Sequence, residues 1–132
     1  MRIHHIGYLV KKIDKAAEAF ENLGYRIKQE KIYDEYRKIY ICFMEKDGYV
    51  VELVSPAGKD SFVAGIIKQY RNAPYHMCYS SDEFEKDLIY LSNHGYVQID
   101  EPCAAPALGN GRVVFLMSPV VGMIELYENL CM

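Results

Sequence analysis

The sequence predicts an α+β fold built from two tandem βαβββ modules, whose eight strands form a curved, mixed sheet around a cleft. Two observations carry this. First, most of residues 3–25 (IHHIGYLVKKIDKAAEAFENLGY) is written again at residues 74–96 (PYHMCYSSDEFEKDLIYLSNHGY), with His5/His76, Tyr8/Tyr79, Gly24/Gly95 and Tyr25/Tyr96 all separated by 71 positions. Second, Val50-Val51-Glu52-Leu53 resembles Met123-Ile124-Glu125-Leu126, and Glu52 and Glu125 are 73 apart, so two extra residues lie within the second copy. A repeat of this length marks a duplicated structural unit.

The first copy opens with a strand over 2–10, where alternation puts Ile3, His5, Gly7 and Leu9 on one face and His4, Ile6, Tyr8 and Val10 on the other. The adjacent histidines therefore point oppositely. Asp14 is the expected N-cap of a helix with Ala16, Ala17, Phe20 and Leu23 at helical spacing, and Gly24 ends it. Strands follow over 25–32 and 39–45, separated by a polar turn at 33–37. Lys46-Asp47-Gly48 is a hairpin turn into the strand 49–54.

Ser55-Pro56-Ala57-Gly58 closes the first module, at about residue 57. A linking helix over 61–70, within a connection of 58–73, presents Phe62, Val63, Ile66, Ile67 and Tyr70 inward. The second module begins at Pro74 with a strand over 75–79. Ser80 and Glu83 read as a capping box for a helix that buries Phe84, Leu88 and Leu91 and stops at Gly95. A strand over 96–100, a Pro/Gly-rich loop over 101–111, and strands over 112–117 and 122–127 complete it.

A chain of 132 residues is a single domain's worth, 1–132, and long enough to bury a core. Its apolar fraction of 51% and charged fraction of 25% are ordinary for a globular protein. A net charge of −3 excludes a general nucleic-acid binder, while leaving room for a local basic patch facing a phosphorylated ligand. Cys42, Cys78, Cys103 and Cys131 show no zinc-ribbon spacing, and the first two sit in apolar strands. These features point to the reducing cytoplasm. No apolar run reaches the ~20 residues of a membrane span, and residues 1–25 lack a signal-peptide core.

Glu52 and Glu125 each interrupt an otherwise apolar strand, and an isolated buried carboxylate is costly unless paired or bound to metal. A lone strand glutamate is commonly solvent-facing, and a lone strand histidine is commonly structural. The same His and Glu at matching places of two copies shift that balance. If a pseudo-two-fold axis relates the copies, His5, Glu52, His76 and Glu125 can converge on one point. Two imidazoles and two carboxylates suit a borderline divalent cation (Co, Mn, Ni or Zn) with positions open to substrate oxygens. His4 points away from His5, and His94, at a helix C-terminus, has a role without chemistry. Leu108-Gly109-Asn110-Gly111-Arg112 precedes a strand, unlike a dinucleotide-binding loop.

These features resemble the vicinal oxygen chelate superfamily, whose domains are paired βαβββ modules around a metal. It includes methylmalonyl-CoA epimerase, glyoxalase I, extradiol dioxygenases and metal-free antibiotic-binding proteins. The family's ligand positions fall on His5 in His-His-Ile-Gly, Glu52 in Val-Glu-Leu-Val-Ser-Pro, His76 in Tyr-His-Met-Cys and Glu125 in Met-Ile-Glu-Leu. Within it the chain looks most like methylmalonyl-CoA epimerase, through Ser61-Phe62-Val63-Ala64, Asp100-Glu101-Pro102 and Gly109-Asn110-Gly111-Arg112 running into Phe115. It departs in having Tyr75 where epimerases commonly have a second His, and Tyr40 or Ile41 where some carry a third-strand Glu.

The resemblance implies a metal-dependent isomerase that moves a proton next to a carbonyl, with Glu52 and Glu125 as the proton carriers. Glyoxalase I, a lyase with the same ligand types, is the alternative, and would draw on arginines such as Arg26 and Arg37 for glutathione. A metal-free binding or resistance protein is the third reading, and the full ligand set counts against it. The fourth ligand counts against an extradiol dioxygenase. The expected partners are a small-molecule acyl thioester or hemithioacetal and a second copy of the chain as a homodimer, without nucleic acid or membrane.

Overall fold

The repeat in the sequence reappears as a repeat in strand pairing. The computed structural model describes residues 1–130; Cys131 lies outside them. The chain forms strands β1 (Arg2–Leu9), β2 (Arg26–Asp34), β3 (Ile39–Lys46), β4 (Tyr49–Pro56), β5 (Ala73–Ser81), β6 (Val97–Gln98), β7 (Cys103–Ala104), β8 (Arg112–Ser118) and β9 (Gly122–Glu128). Helices are α1 (Ile13–Asn22), α2 (Ala64–Tyr70) and α3 (Phe84–Ser92). The fold is the expected α+β class with two βαβββ modules. Contacts divide it into two compact units, one spanning His5–Tyr75, the other Met1–His4 with the chain from His76.

In the first unit the strand order is β2-β3-β4-β1, with β1 parallel to β4 and the other neighbours antiparallel. In the second it is β6-β8-β9-β5, with β5 parallel to β9. Gly7 lies opposite Glu52 in one parallel pair and Cys78 opposite Glu125 in the other. Gly7 and Cys78 are themselves 71 residues apart, so the sequence offset carries the same register into both units.

Each unit covers one sheet face with its helix. Ile13 and Ala17 of α1 pack on Cys42, Met44, Val51 and Leu53, with Phe20 edge-on to both Tyr8 and Tyr25 at 5.2 and 5.0 Å. Phe84 and Leu91 of α3 pack on Val114, Leu116, Ile124 and Leu126. Fully buried side chains such as Leu53 and Leu126 each contribute about 2 kcal/mol. Strand alternation then turns Phe43, Glu52, Phe115 and Glu125 to the faces the helices leave uncovered. Among the described residues no helix is long and apolar enough to cross a membrane.

Several local expectations need correction. α1 starts one residue before Asp14: Lys12 is the N-cap without a side-chain bond, and Asp14 in the first turn meets Lys31 at 3.3 Å. α3 starts with Glu83 as an N-cap that makes no side-chain cap bond. The serine at this turn is Ser81, whose Oγ accepts the Glu83 N–H at 3.1 Å and donates to Asp87 at 2.5 Å. Ser80 lies one residue too early to do so. The linking helix is shorter than expected and buries only Val63 and Ile67 closely, while Phe62 and Tyr70 are 39% and 62% exposed. Seven helical residues offer one narrow stripe, too narrow for five inward side chains. Among the described residues the strands number nine rather than eight. The loop after Asp100 lies along β8 closely enough to pair Cys103 with Val113 and Ala104 with Arg112, then turns through a 3₁₀ segment at Pro106–Leu108.

Candidate metal-binding residues

Each unit places one imidazole beside one carboxylate on its helix-free face. His5 and Glu52, 1% and 5% exposed, come from neighbouring parallel strands, with Nε2 and Oε1 3.4 Å apart. His76 and Glu125, both 4% exposed, approach to 3.1 Å through the same atoms. The geometry follows from register. Glu52 stands level with Gly7 and Glu125 with Cys78, so the histidine two residues earlier shares the face and sits one rung away.

The donor chemistry of each pair fits a divalent cation. Nitrogen and oxygen ligands at ~2.1 Å from one ion lie ~3.0 Å apart at a right angle and ~3.4 Å apart at a tetrahedral angle. Separations of 3.1 and 3.4 Å fall in that range. An imidazole and a carboxylate also suit the borderline divalent metals better than magnesium or calcium, which prefer all-oxygen sites.

The two phenylalanines were not identifiable as site residues from chemistry alone. Phe43 lies opposite Glu52 and Phe115 opposite Glu125 in the antiparallel pairs. The Phe43 ring is edge-on to His5 with centroids 5.3 Å apart, and the Phe115 ring edge-on to His76 at 5.1 Å. Each pair thus has an aromatic wall. A signal existed: Phe43 and Phe115 are 72 apart, between the offsets of the histidines and glutamates.

Other candidates take structural positions. His4 lies edge-on to Tyr127 at 5.1 Å. His94 stacks on Tyr90 and its Nδ1 is 2.7 Å from the Tyr90 carbonyl, binding back onto the last turn of α3. Tyr40 is on the opposite sheet face from Phe43 and Glu52, with Lys31 over its ring at 5.6 Å. Of Tyr40 and Ile41, the one on the Glu52 face is therefore Ile41, an apolar residue, and Tyr40 is not available as a proton carrier there. Glu45, on the same face further along β3, is paired with Arg26 and Lys28. Arg26 pairs with Glu45, and Arg37 pairs with buried Asp34 at 3.0 Å. Gly111 and Arg112 hold the strand ends: Arg112 grips Glu128 through Nε at 2.9 Å and Glu85 at 2.7 Å.

With fold and pairs in place, the class follows. Residues 4–115 match the family model of the glyoxalase/bleomycin resistance protein/dioxygenase superfamily, and the chain belongs to that superfamily. It is 25% identical over 131 residues to human mitochondrial methylmalonyl-CoA epimerase, covering 96% of this chain and 73% of the relative. A hypothetical protein from Bacillus halodurans C-125 has the same fold, with a TM-score of 0.87 at 20% identity over 99% of this chain and 96% of that one. A Streptomyces coelicolor methylmalonyl-CoA epimerase variant in complex with 2-nitronate-propionyl-CoA gives 0.84 at 18% identity, covering 99% of each.

Proposed function

We propose that this protein is a metal-dependent isomerase that moves a proton on the carbon next to a thioester carbonyl, most like methylmalonyl-CoA epimerase. The carrying observation is the duplicated His–Glu pair, and the reading joins His5, Glu52, His76 and Glu125 as the ligands of one divalent cation. A cation held there supplies positive charge where the substrate oxygens become negative as the carbon loses its proton. The rest is done by the chain. The imidazoles bind, and the phenyl groups of Phe43 and Phe115 exclude water. Epimerisation needs a base on one side of the carbon and an acid on the other. Glu52 and Glu125 fill these roles, since Ile41 brings no acid and Glu45, the acid of the third strand, is engaged by Arg26 and Lys28.

The 25% identity to the human epimerase supports an acyl-CoA thioester as substrate. The glyoxalase alternative is weakened because Arg26 and Arg37, its candidates for glutathione carboxylates, are engaged by Glu45 and Asp34. The same reading makes the protein a cytoplasmic homodimer.

The test is metal analysis followed by solvent-deuterium exchange into methylmalonyl-CoA. Exchange that requires the metal and epimerises the substrate is the expected result. A metal-loaded protein that exchanges nothing into methylmalonyl-CoA but isomerises the glutathione hemithioacetal would replace this assignment with the glyoxalase one.

A further inference from the structure

A second feature of the first unit lies on the other face of its sheet. A cavity of about 360 Å³ at the start of α1 is lined by Lys11, Lys12, Lys15, Lys31, Tyr40 and Ser55, with Asp14 the one carboxylate at its wall. Ser55 is cross-strand from Tyr40 and three residues beyond Glu52, so alternation turns it away from the His5–Glu52 pair.

Three observations show what the cavity suits. Four lysines face one aspartate in a chain whose net charge is −3. Asp14 is occupied by Lys31 at 3.3 Å, whereas Lys11, Lys12 and Lys15 have no carboxylate partner among the described residues. The first turn of α1 has no side-chain cap, so its outward N–H groups are left for an acceptor. Ser55, only 3% exposed, brings a hydroxyl to the cavity wall with no hydrogen-bond partner among the described residues. A hydroxyl on an almost enclosed residue that lines the cavity is placed to bond a ligand oxygen there. Clustered cations, free amides and an unmatched hydroxyl together fit a phosphate.

The cavity has a neighbour of about 490 Å³ that shares Lys11, Lys12 and Lys15 and is walled by Tyr8, Val10, Ala16 and Phe20. Its size and aromatic wall suit a flat ring. We propose that these adjoining cavities form a second ligand site, on the sheet face opposite the His5–Glu52 pair, for a phosphate-bearing ligand with an aromatic base, of the nucleoside phosphate class. The phosphate sits against the lysines and the start of α1, and the ring against Tyr8 and Phe20. Both a free nucleotide and the nucleotide end of coenzyme A carry this chemistry. The site stands independently of the proton-transfer reading.

The test is amide NMR of the full chain titrated with ADP, inorganic phosphate and adenosine. ADP shifts the amides of Ile13, Asp14, Lys15 and Ser55 saturably and more tightly than phosphate or adenosine. The Lys12→Ala/Lys15→Ala pair weakens ADP at least ~10-fold, and so does 0.5 M salt, because the lysines are exposed. Ser55→Ala weakens it by roughly tenfold, the scale of a bond to a charged group. Unmoved α1 amides in the wild-type chain, or equal ADP affinity in the double variant, overturn the site. Adenosine binding as tightly as ADP overturns the phosphate assignment, and phosphate binding as tightly overturns the ring assignment. Coenzyme A added to the ADP complex separates the sources: displacement of ADP from these amides assigns the coenzyme, and retention assigns a free nucleotide.

Discussion

The Phe115 ring meets the His76 imidazole edge-on, at 5.1 Å between centroids and 84° between planes. Its backbone is held from the far side. The Phe115 N–H donates to Asp100 Oδ1 at 2.7 Å, and its carbonyl accepts the Ile99 N–H at 2.9 Å. Both groups therefore point away from β9, which makes Phe115 and Glu125 a non-hydrogen-bonded pair with closely spaced side chains. Asp100, in the Asp-Glu-Pro segment, thus anchors the wall beside His76.

The first prediction follows from that wall. Phe115→Leu and Phe43→Leu keep an apolar side chain but lose the edge contact that fixes the imidazole. Metal affinity is expected to fall roughly tenfold, the lower end of the effect of disturbing the groups around ligands. Stability is expected to fall by only ~1 kcal/mol. Competition titration with a chelator reads the first and thermal melting the second. A loss of stability with unchanged metal affinity would reduce both rings to packing.

The second prediction separates binding from proton transfer. His5→Ala and His76→Ala are expected to abolish metal binding and turnover together. Glu52→Gln and Glu125→Gln retain an oxygen ligand, so metal is partly kept while the rate drops by ~10² or more. If each carboxylate serves one side of the carbon, each Gln variant exchanges deuterium into one enantiomer without epimerising it. Full epimerase activity in Glu125→Gln would remove that residue from the proton path.

How far the sequence disclosed this arrangement depends on the kind of signal. His5, Glu52, His76 and Glu125 were legible because polar residues in apolar strands recur at two nearly equal offsets, and those offsets survive as Gly7 opposite Glu52 and Cys78 opposite Glu125. Phe43 and Phe115 carried no contrast, being apolar residues in apolar strands. Tyr40 is a matter of face: counting back from Phe43 by three puts it on the α1 side. Ser80 and Ser81 are neighbours, and local sequence does not say which hydroxyl the turn before α3 brings to the Glu83 N–H. The Cys103–Ala104 pairing depends on how a Pro/Gly-rich loop lies against β8, which is a tertiary property. The lysine cavity joins residues from β2, β3, β4 and α1, and only folding assembles them.

The third prediction concerns Gly111. A Cβ there would lie 2.3 Å from the Glu128 carbonyl oxygen and 2.5 Å from the Tyr127 ring, and the first of these is backbone. Gly111→Ala must push β8 and β9 apart, at a cost of about 3 kcal/mol. Gly109→Ala is the contrast. Gly109 has φ of +64° but open space around its Cβ position, so only the left-handed conformation is penalised, at about 1 kcal/mol. Denaturant midpoints of both variants check the order. Equal losses would show that the close approach at Gly111 relaxes freely.

The fourth prediction is a pH dependence. Arg112 donates to Glu128 through Nε at 2.9 Å and through Nη2 at 2.7 Å, and its side chain also lies over Phe84 at 4.7 Å. These bonds hold the Glu128 carboxyl below its ordinary value of 4.5, against the opposing effect of burial. A carboxyl whose value is lower in the folded state contributes stability that is complete above the unfolded value. That contribution is lost as pH falls through the folded one. Both partners are partly exposed, so solvent screening limits it to about 1 kcal/mol. Arg112→Met keeps the apolar cover over Phe84 and removes the charge. The variant is expected to be less stable at pH 7, with the deficit shrinking as pH falls below about 4.5. Urea midpoints from pH 7 to pH 3 measure both chains, and a deficit that stays constant across that range would show that packing, not the ion pair, accounts for Arg112.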